Sequence, residues 1–208
     1  LRLPMSDKTL SRLPELLPAV LSETQKKLYD QIVAGAKDSS GKPLKTRVNE
    51  ATGGLLGPFN AFLRSPQLGA DVALLAEHLR FGDLEASQKT LEICILRTVQ
   101  RSGATYALWS HQKLAAAAGV PADAIEILTR GGDAKECRSL SDAEFAALML
   151  CDELLEVGMK VSEATYHAAL EKLGERQTFE VAATVGFYLL LSTILKTFDV
   201  KPPDQAKL

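Results

Sequence analysis

Two ionisable residues, Glu92 and His111, stand where apolar side chains are expected. On a helix over 85–101, at about 100° per residue, Leu91, Cys94, Ile95, Leu96, Thr98 and Val99 form one broad apolar arc. Glu92 falls inside that arc, between Val99 and Leu96, while Thr90, Arg97 and Arg101 take the other side. A carboxylate on an apolar face is costly unless it is paired, hydrogen-bonded or protonated. The next helix, over 104–118, repeats the anomaly. There His111 lies in the middle of a narrow face made by Ala104, Ala107, Leu108, Leu114, Ala115 and Ala118.

The tight turn at Ser102-Gly103 makes the two helices an antiparallel hairpin. Glu92 lies ten residues before Ser102, about 15 Å along the axis. His111 lies eight residues after Gly103, about 12 Å. The two side chains therefore meet at nearly the same depth. A carboxylate beside an imidazole holds it in one tautomer and supports its protonated form, which is how proton-transfer sites are built. Taken singly, a histidine on an apolar face is more often a core residue, and a buried glutamate often just pairs with arginine. Their shared depth points the pair toward acid–base chemistry.

The substrate-binding candidates are Phe59, Asn60, Arg80, Tyr106 and Trp109. Asn60 follows a Gly-Pro turn and can offer its amide to a substrate oxygen or to local backbone. Arg80 and Arg97 can grip a carboxylate with two parallel bonds, but Arg97 points away from the Glu92 side, where a salt bridge or subunit contact is expected. Tyr106, Trp109 and Lys113 share the face opposite His111, so packing or an interface competes with a pocket role. Cys94 reads as a core thiol, and His78 and His167 carry no signal.

The positioning elements follow from caps and breakers. Residues 1–21, with Pro4, Pro14 and Pro18, predict an extended arm, followed by one domain over 22–198 and a polar tail over 199–208. Ser22-Glu23-Thr24-Gln25 has the form of a capping box and opens a helix to about Ala34. A long loop over 35–58 ends in the turn Gly57-Pro58-Phe59-Asn60, and Ser65-Pro66 starts a helix to Phe81. After the hairpin, Gly119 is a left-handed cap, Pro121 opens a short helix to Arg130, and Ser141-Asp142-Ala143-Glu144 caps a helix to Val157. Ser162 starts a helix to Leu173, Gly174 stops it, and a last helix covers 176–197. No run alternates as a strand does, so the class is all-α.

Composition narrows the function. A net charge of −2 leaves no electrostatic footprint for nucleic acid or an anionic membrane. The longest uncharged apolar run, Val181 to Leu195, has 15 residues, short of the roughly 20 that span a bilayer, and reads as a buried core helix. Leu13 to Leu21 is broken by Pro14, Glu15 and Pro18, so no signal peptide is expected there. Cys94, Cys137 and Cys151 form neither a Cys-x-x-Cys nor a metal-ligand pattern, which predicts a reducing cytoplasm, and the three histidines lack metal-site spacing. No metal and no cofactor is expected.

The run Leu91-Glu92-Ile93-Cys94-Ile95-Leu96-Arg97, followed by Tyr106, His111 and Gly119-Val120, resembles the core motif of the carboxymuconolactone decarboxylase and AhpD-like superfamily. Gly57-Pro58-Phe59-Asn60 and Ser65-Pro66 resemble its longer members, and the likeness spans about residues 13–200. The resemblance implies an AhpD-like helical bundle. In the thiol branch of that family, a glutamate is followed by Cys-x-x-Cys and then a histidine. Glu92 and His111 match the outer members, but Ala104 and Ala107 occupy the cysteine positions. The thiol that would attack a peroxide and the one that would resolve it are both missing. The decarboxylase branch fits better, although its Tyr-Glu-Trp run is here Tyr106-Ala107-Leu108-Trp109.

Three functions follow. The first is a decarboxylase-like lyase or isomerase without cofactor, acting on a small carboxylated lactone or related oxygenated metabolite. The second is a non-catalytic binding or assembly protein of the same fold. The third, an alkylhydroperoxidase-like antioxidant protein, is disfavoured by Ala104 and Ala107. The helix over 176–197 is apolar almost all round, which predicts cover on nearly every side. With the family likeness, this implies a homo-oligomer, a trimer or a hexamer built from trimers, with His111 near a subunit boundary.

Overall fold

The computed structural model describes residues 11–35 and 47–202. The start of the expected arm, 36–46 of the expected loop and the tail from Pro203 lie outside the described residues. Among these residues there are eight α-helices and no strand. They fall into two compact units, one holding the residues up to Glu77 and from Ile194, the other running from His78 to Thr193.

In the first unit, α1 (Glu23–Gly35) opens with reciprocal capping. Ser22 N donates to Gln25 Oε1 at 2.9 Å, and Gln25 N to Ser22 Oγ at 3.3 Å. Leu28 and Ile32, one turn apart, are its buried contacts. Val48 and Leu55 form an isolated antiparallel bridge ahead of the five-residue α2 (Pro58–Phe62). Next comes α3 (Pro66–Phe81), with Pro66 at its start as expected. The arm runs extended before a 3-10 turn at Pro18–Val20 and is fastened by its backbone. Arg12 N donates to Phe198 O at 2.7 Å, and Leu16 N to Asn60 Oδ1 at 3.1 Å.

The second unit is built around α4 (Gln88–Ser102), whose residues from Thr90 to Val99 are all buried. It begins three residues later than the sequence predicts. The amides of Glu85 and Ala86 donate to the Glu180 carboxylate at 3.2 and 2.7 Å, and Ser87 then caps the helix. At the other end Gly103, at φ 69°, adopts the left-handed conformation that closes a helix at little cost to glycine. Ala104 N reaches back to Val99 O, and α5 (Thr105–Ala117) returns along α4. The two flanking helices, α6 (Ala122–Arg130) and α7 (Asp142–Leu154), complete a core that includes Ile93, Leu96, Ala115, Leu128 and Leu148.

Ser141 and Glu144 form the expected capping box of α7, but the helix stops at Leu154, short of Val157. Val157 is fully exposed, and Gly158 and Met159 both take positive φ, so the chain has already turned away. Last comes α8 (Glu163–Thr197), a helical run broken at Gly174, whose φ of 77° and ψ of 173° mark the expected stop between two helices. By length and composition the whole of α8 could cross a membrane, which the 15-residue run alone could not. Its second part nevertheless turns Val181, Thr184, Val185, Tyr188 and Ser192 inward, all buried. Phe179, Gly186 and Leu190, on the opposite face, remain exposed. The expectation of cover on nearly every side is therefore not met by the chain alone.

Candidate functional site

The hairpin brings Glu92 and His111 together in the second unit. Glu92 Oε2 lies 2.8 Å from His111 Nδ1, with 5% of the glutamate side chain and 8% of the histidine side chain exposed. An ionised carboxylate can only accept, so Nδ1 carries the hydrogen in this contact. In neutral imidazole that leaves the lone pair on Nε2. Among the described residues Nε2 has no protein partner. The small side chains predicted around the histidine are present, with Ala104, Ala107 and Ala115 buried.

Tyr188 of α8 completes the arrangement and is not singled out by the sequence. Its ring stands edge-to-face with His111, centroids 4.9 Å apart at 88°, and is held in turn by Phe187 at 5.4 Å. Burial, and then the charge of Glu92, push its phenol well above the usual value, against a weaker downward pull from Arg80. Tyr188 therefore stays a protonated donor. In the sequence it is one apolar position on a helix that reads as apolar all round. What could have marked it is that Thr184, Tyr188 and Ser192, at i, i+4 and i+8, put three hydroxyls on one face.

Arg80, at the end of α3, lies half-buried with its guanidinium over Phe81 at 5.2 Å. It has no ion-pair partner among the described residues. The segment after it is clamped to α8. Glu180 holds the amides of Glu85 and Ala86, and Arg176 donates to Asp83 O at 2.5 Å, while Gln88 Nε2 of α4 donates to Leu79 O at 3.3 Å. Glu180, just ahead of the uncharged apolar run in the sequence, is thus a positioning group.

The other candidates make contacts of their own. Asn60 commits both ends of its amide to the backbone of the arm, more than forty residues earlier, accepting from Leu16 N and donating to Pro14 O at 3.2 Å. Phe59 sits in the same unit, edge-on to Phe62 and under Arg47. Tyr106 and Trp109 pack on each other with centroids 5.8 Å apart and rings tilted by 50°, and Lys113 lies over the indole at 4.5 Å. Burial pushes the Tyr106 phenol up to about 12. Arg97 is buried and bonded to Gly132 O and to Asp152 Oδ1, each at 2.9 Å, as a salt bridge should be on that side of α4. Cys94 is a fully buried core thiol, and its neighbour Cys151 and burial push its pKa well up. No group of three or more His, Cys, Asp or Glu able to hold a metal occurs among the described residues.

No family model and no curated protein matches the chain. Solved structures do share its fold. An uncharacterized peroxidase-related protein from Ralstonia eutropha JMP134, with an alkylhydroperoxidase AhpD core, is 15% identical, with a TM-score of 0.73 over 96% of this chain and 95% of its own. A peroxidase-related protein from Silicibacter sp. TM1040 is 14% identical, with a TM-score of 0.71 over 97% of each chain. The debrominase Bmp8, as a cysteine-to-alanine variant in complex with 2,3,4-tribromopyrrole, is 13% identical, with a TM-score of 0.67 over 88% of this chain and 90% of its own. The fold is therefore the all-α AhpD-like fold. At these identities the likeness extends to fold and not to reaction.

Proposed function

We propose that the chain is a carboxymuconolactone decarboxylase-like acid–base enzyme that works without a cofactor on a small carboxylated lactone or related oxygenated metabolite. The observation that carries this reading is the buried 2.8 Å contact between Glu92 and His111, with Nε2 left without a protein partner. Such a histidine is oriented for proton transfer at its other nitrogen. In a decarboxylation the pair of electrons of the breaking C–C bond passes to the carbonyl system, carbon dioxide leaves, and an enolate remains. Protonated His111 then delivers its Nε2 proton to carbon, and Glu92 holds the ring in place throughout. In an isomerisation the same nitrogen first removes a proton and then returns it.

The structure of Bmp8 with a small planar ring supports small-molecule chemistry on this fold. The thiol route is disfavoured here, since Ala104 and Ala107 stand at the positions a cysteine pair would take. The test is incubation with small lactones and keto acids in heavy water, followed by NMR for deuterium uptake or loss of carbon dioxide. Turnover of at least one compound is expected, lost in both His111→Gln and Glu92→Gln. Turnover that survives His111→Gln undiminished would overturn the assignment.

A further inference from the structure

Three polar groups of the second unit have no hydrogen-bond or ion-pair partner among the described residues. They are His111 Nε2, the Tyr188 hydroxyl and the Arg80 guanidinium. An unpaired hydroxyl on a residue only 3% exposed forfeits hydrogen bonds that the same group would make in water. Nor is that hydroxyl among the sealed groups: the fully enclosed side-chain atoms without a hydrogen bond are Gln100 Oε1 and the ion-paired Arg97 Nε and Asp152 Oδ1. The Tyr188 oxygen therefore borders space that a solvent-sized group can reach.

Geometry fixes the neighbourhood. The Tyr188 ring stands 4.9 Å from the imidazole ring, centroid to centroid, and the imidazole is bonded to Glu92 through Nδ1. Arg80 is carried on a segment that the Glu180 carboxylate and Arg176 clamp to α8, two turns ahead of Tyr188. Glu92 and Arg80 both act electrostatically on the phenol, in opposite directions. A protonated donor thus stands against the ring of a histidine whose Nδ1 faces a carboxylate, and an unpaired cation acts on that donor.

We propose that Tyr188 and Arg80 form an oxyanion subsite beside the Glu92–His111 pair, where they receive the enolate oxygen of a small carbonyl substrate. This rests on the acid–base reading above and adds to it the groups that hold the developing charge. As a C–H or C–C bond next to the carbonyl gives up its electron pair, that pair becomes a C=C bond and the carbonyl π pair moves onto oxygen. Tyr188 donates its O–H to that oxygen, Arg80 offsets the charge, and His111 carries the proton. Fixed donors aimed at such charge are where enzymes gain most. The subsite therefore suits compounds with an enolisable carbonyl.

The test uses oxalate, a planar dianion with adjacent oxygens like those of an enolate bearing a carboxylate. The chain has three histidines, His78, His111 and His167, so imidazole NMR signals report on His111 individually. Oxalate is titrated into the full chain at constant ionic strength, with chloride as the control anion. It is expected to shift the His111 signals saturably and to leave His78 and His167 unmoved. Tyr188→Phe keeps the ring, and Arg80→Gln breaks no ion pair, so both should fold. Each should weaken oxalate by about tenfold or more, the effect of losing a hydrogen bond to a charged group. Equal affinity in the wild type and either variant overturns the subsite, as does the absence of a His111 response. If oxalate fails while His111-dependent turnover persists, only the subsite falls. If that turnover also fails to depend on His111, the acid–base reading falls too.

Discussion

Glu92 on α4 and His111 on α5 meet through Oε2 and Nδ1 at 2.8 Å, from positions nineteen residues apart on either side of a glycine turn. In Glu92→Gln the amide oxygen can still accept from Nδ1, so the ring keeps a partner while the negative charge is lost. Turnover should fall by on the order of a hundredfold, while stability falls by only about 1 kcal/mol. Kinetics and urea unfolding on the same preparation separate the two. A folded variant with full activity would remove Glu92 from the mechanism.

Peroxide reduction with a dithiol donor should be negligible. The thiol positions hold Ala104 and Ala107, and the remaining cysteines are poor nucleophiles. Cys94 is disfavoured as thiolate by its Cys151 neighbour and by burial, and Cys137 chiefly by burial. A robust hydroperoxide turnover that Cys94→Ser, Cys137→Ser or Cys151→Ser abolishes would reverse this conclusion.

The hairpin was legible because its information is local. A wheel places Glu92 and His111 on inward faces, Gly103 fixes the turn, and the residue count sets the depth. Tyr188 was not legible, because its place beside His111 depends on how a helix more than seventy residues later packs on the hairpin. The early limit of α4 failed for the same reason: Glu180, far along the chain, takes the amides of Glu85 and Ala86. Asn60 shows the converse. Its type suited a ligand, but the neighbouring arm claimed both ends of its amide.

The ion pair between Arg97 and Asp152 ties α4 to α7, with Arg97 only 3% exposed. Burial raises the Asp152 pKa, while Arg97 and Arg101 pull it down less strongly. Asp152→Ala would leave Arg97 buried without its counter-charge, at a cost of about 3 kcal/mol. The double variant Arg97→Met with Asp152→Leu removes both charges and should recover much of that loss. Urea unfolding of the single and double variants measures the difference, and a single variant as stable as wild type would show that the pair is dispensable.

Glu144 predicts a pH dependence. Burial pushes its carboxyl up, but the bond to Lys89, the Ser141 amide and the Lys89 charge together outweigh this and lower it overall. A folded pKa below the unfolded one stabilises above the unfolded value, near 4.3, and that stabilisation disappears as pH falls through the folded one. Glu144→Gln should therefore be less stable than wild type at pH 7. The gap should close as acid protonates the native carboxyl. A gap that stayed constant from neutral pH to about pH 3 would rule out the charge as its cause.

Assembly is the last expectation. Along the second part of α8, Phe179, Gly186 and Leu190 recur at i, i+7 and i+11, one line on the helix surface. Phe179 is 72% exposed and Leu190 44%, on the face opposite Tyr188. The helix thus uses one side for the Glu92–His111 site and leaves an apolar line on the other. A homo-oligomer that covers this line, a trimer or a hexamer built from trimers, is expected. Light scattering at micromolar concentration should give a multiple of the chain mass of 22.5 kDa. The double variant Phe179→Asp with Leu190→Asp places two charges on that line and should shift the protein to monomer, because an unpaired charge in an apolar interface costs several kcal/mol. The inward face is untouched, so the contact between Glu92 and His111 should persist in the monomer and remain visible in the His111 imidazole signals. A monomeric wild type, or an oligomer unaffected by both aspartates, would mean that this line is not the interface.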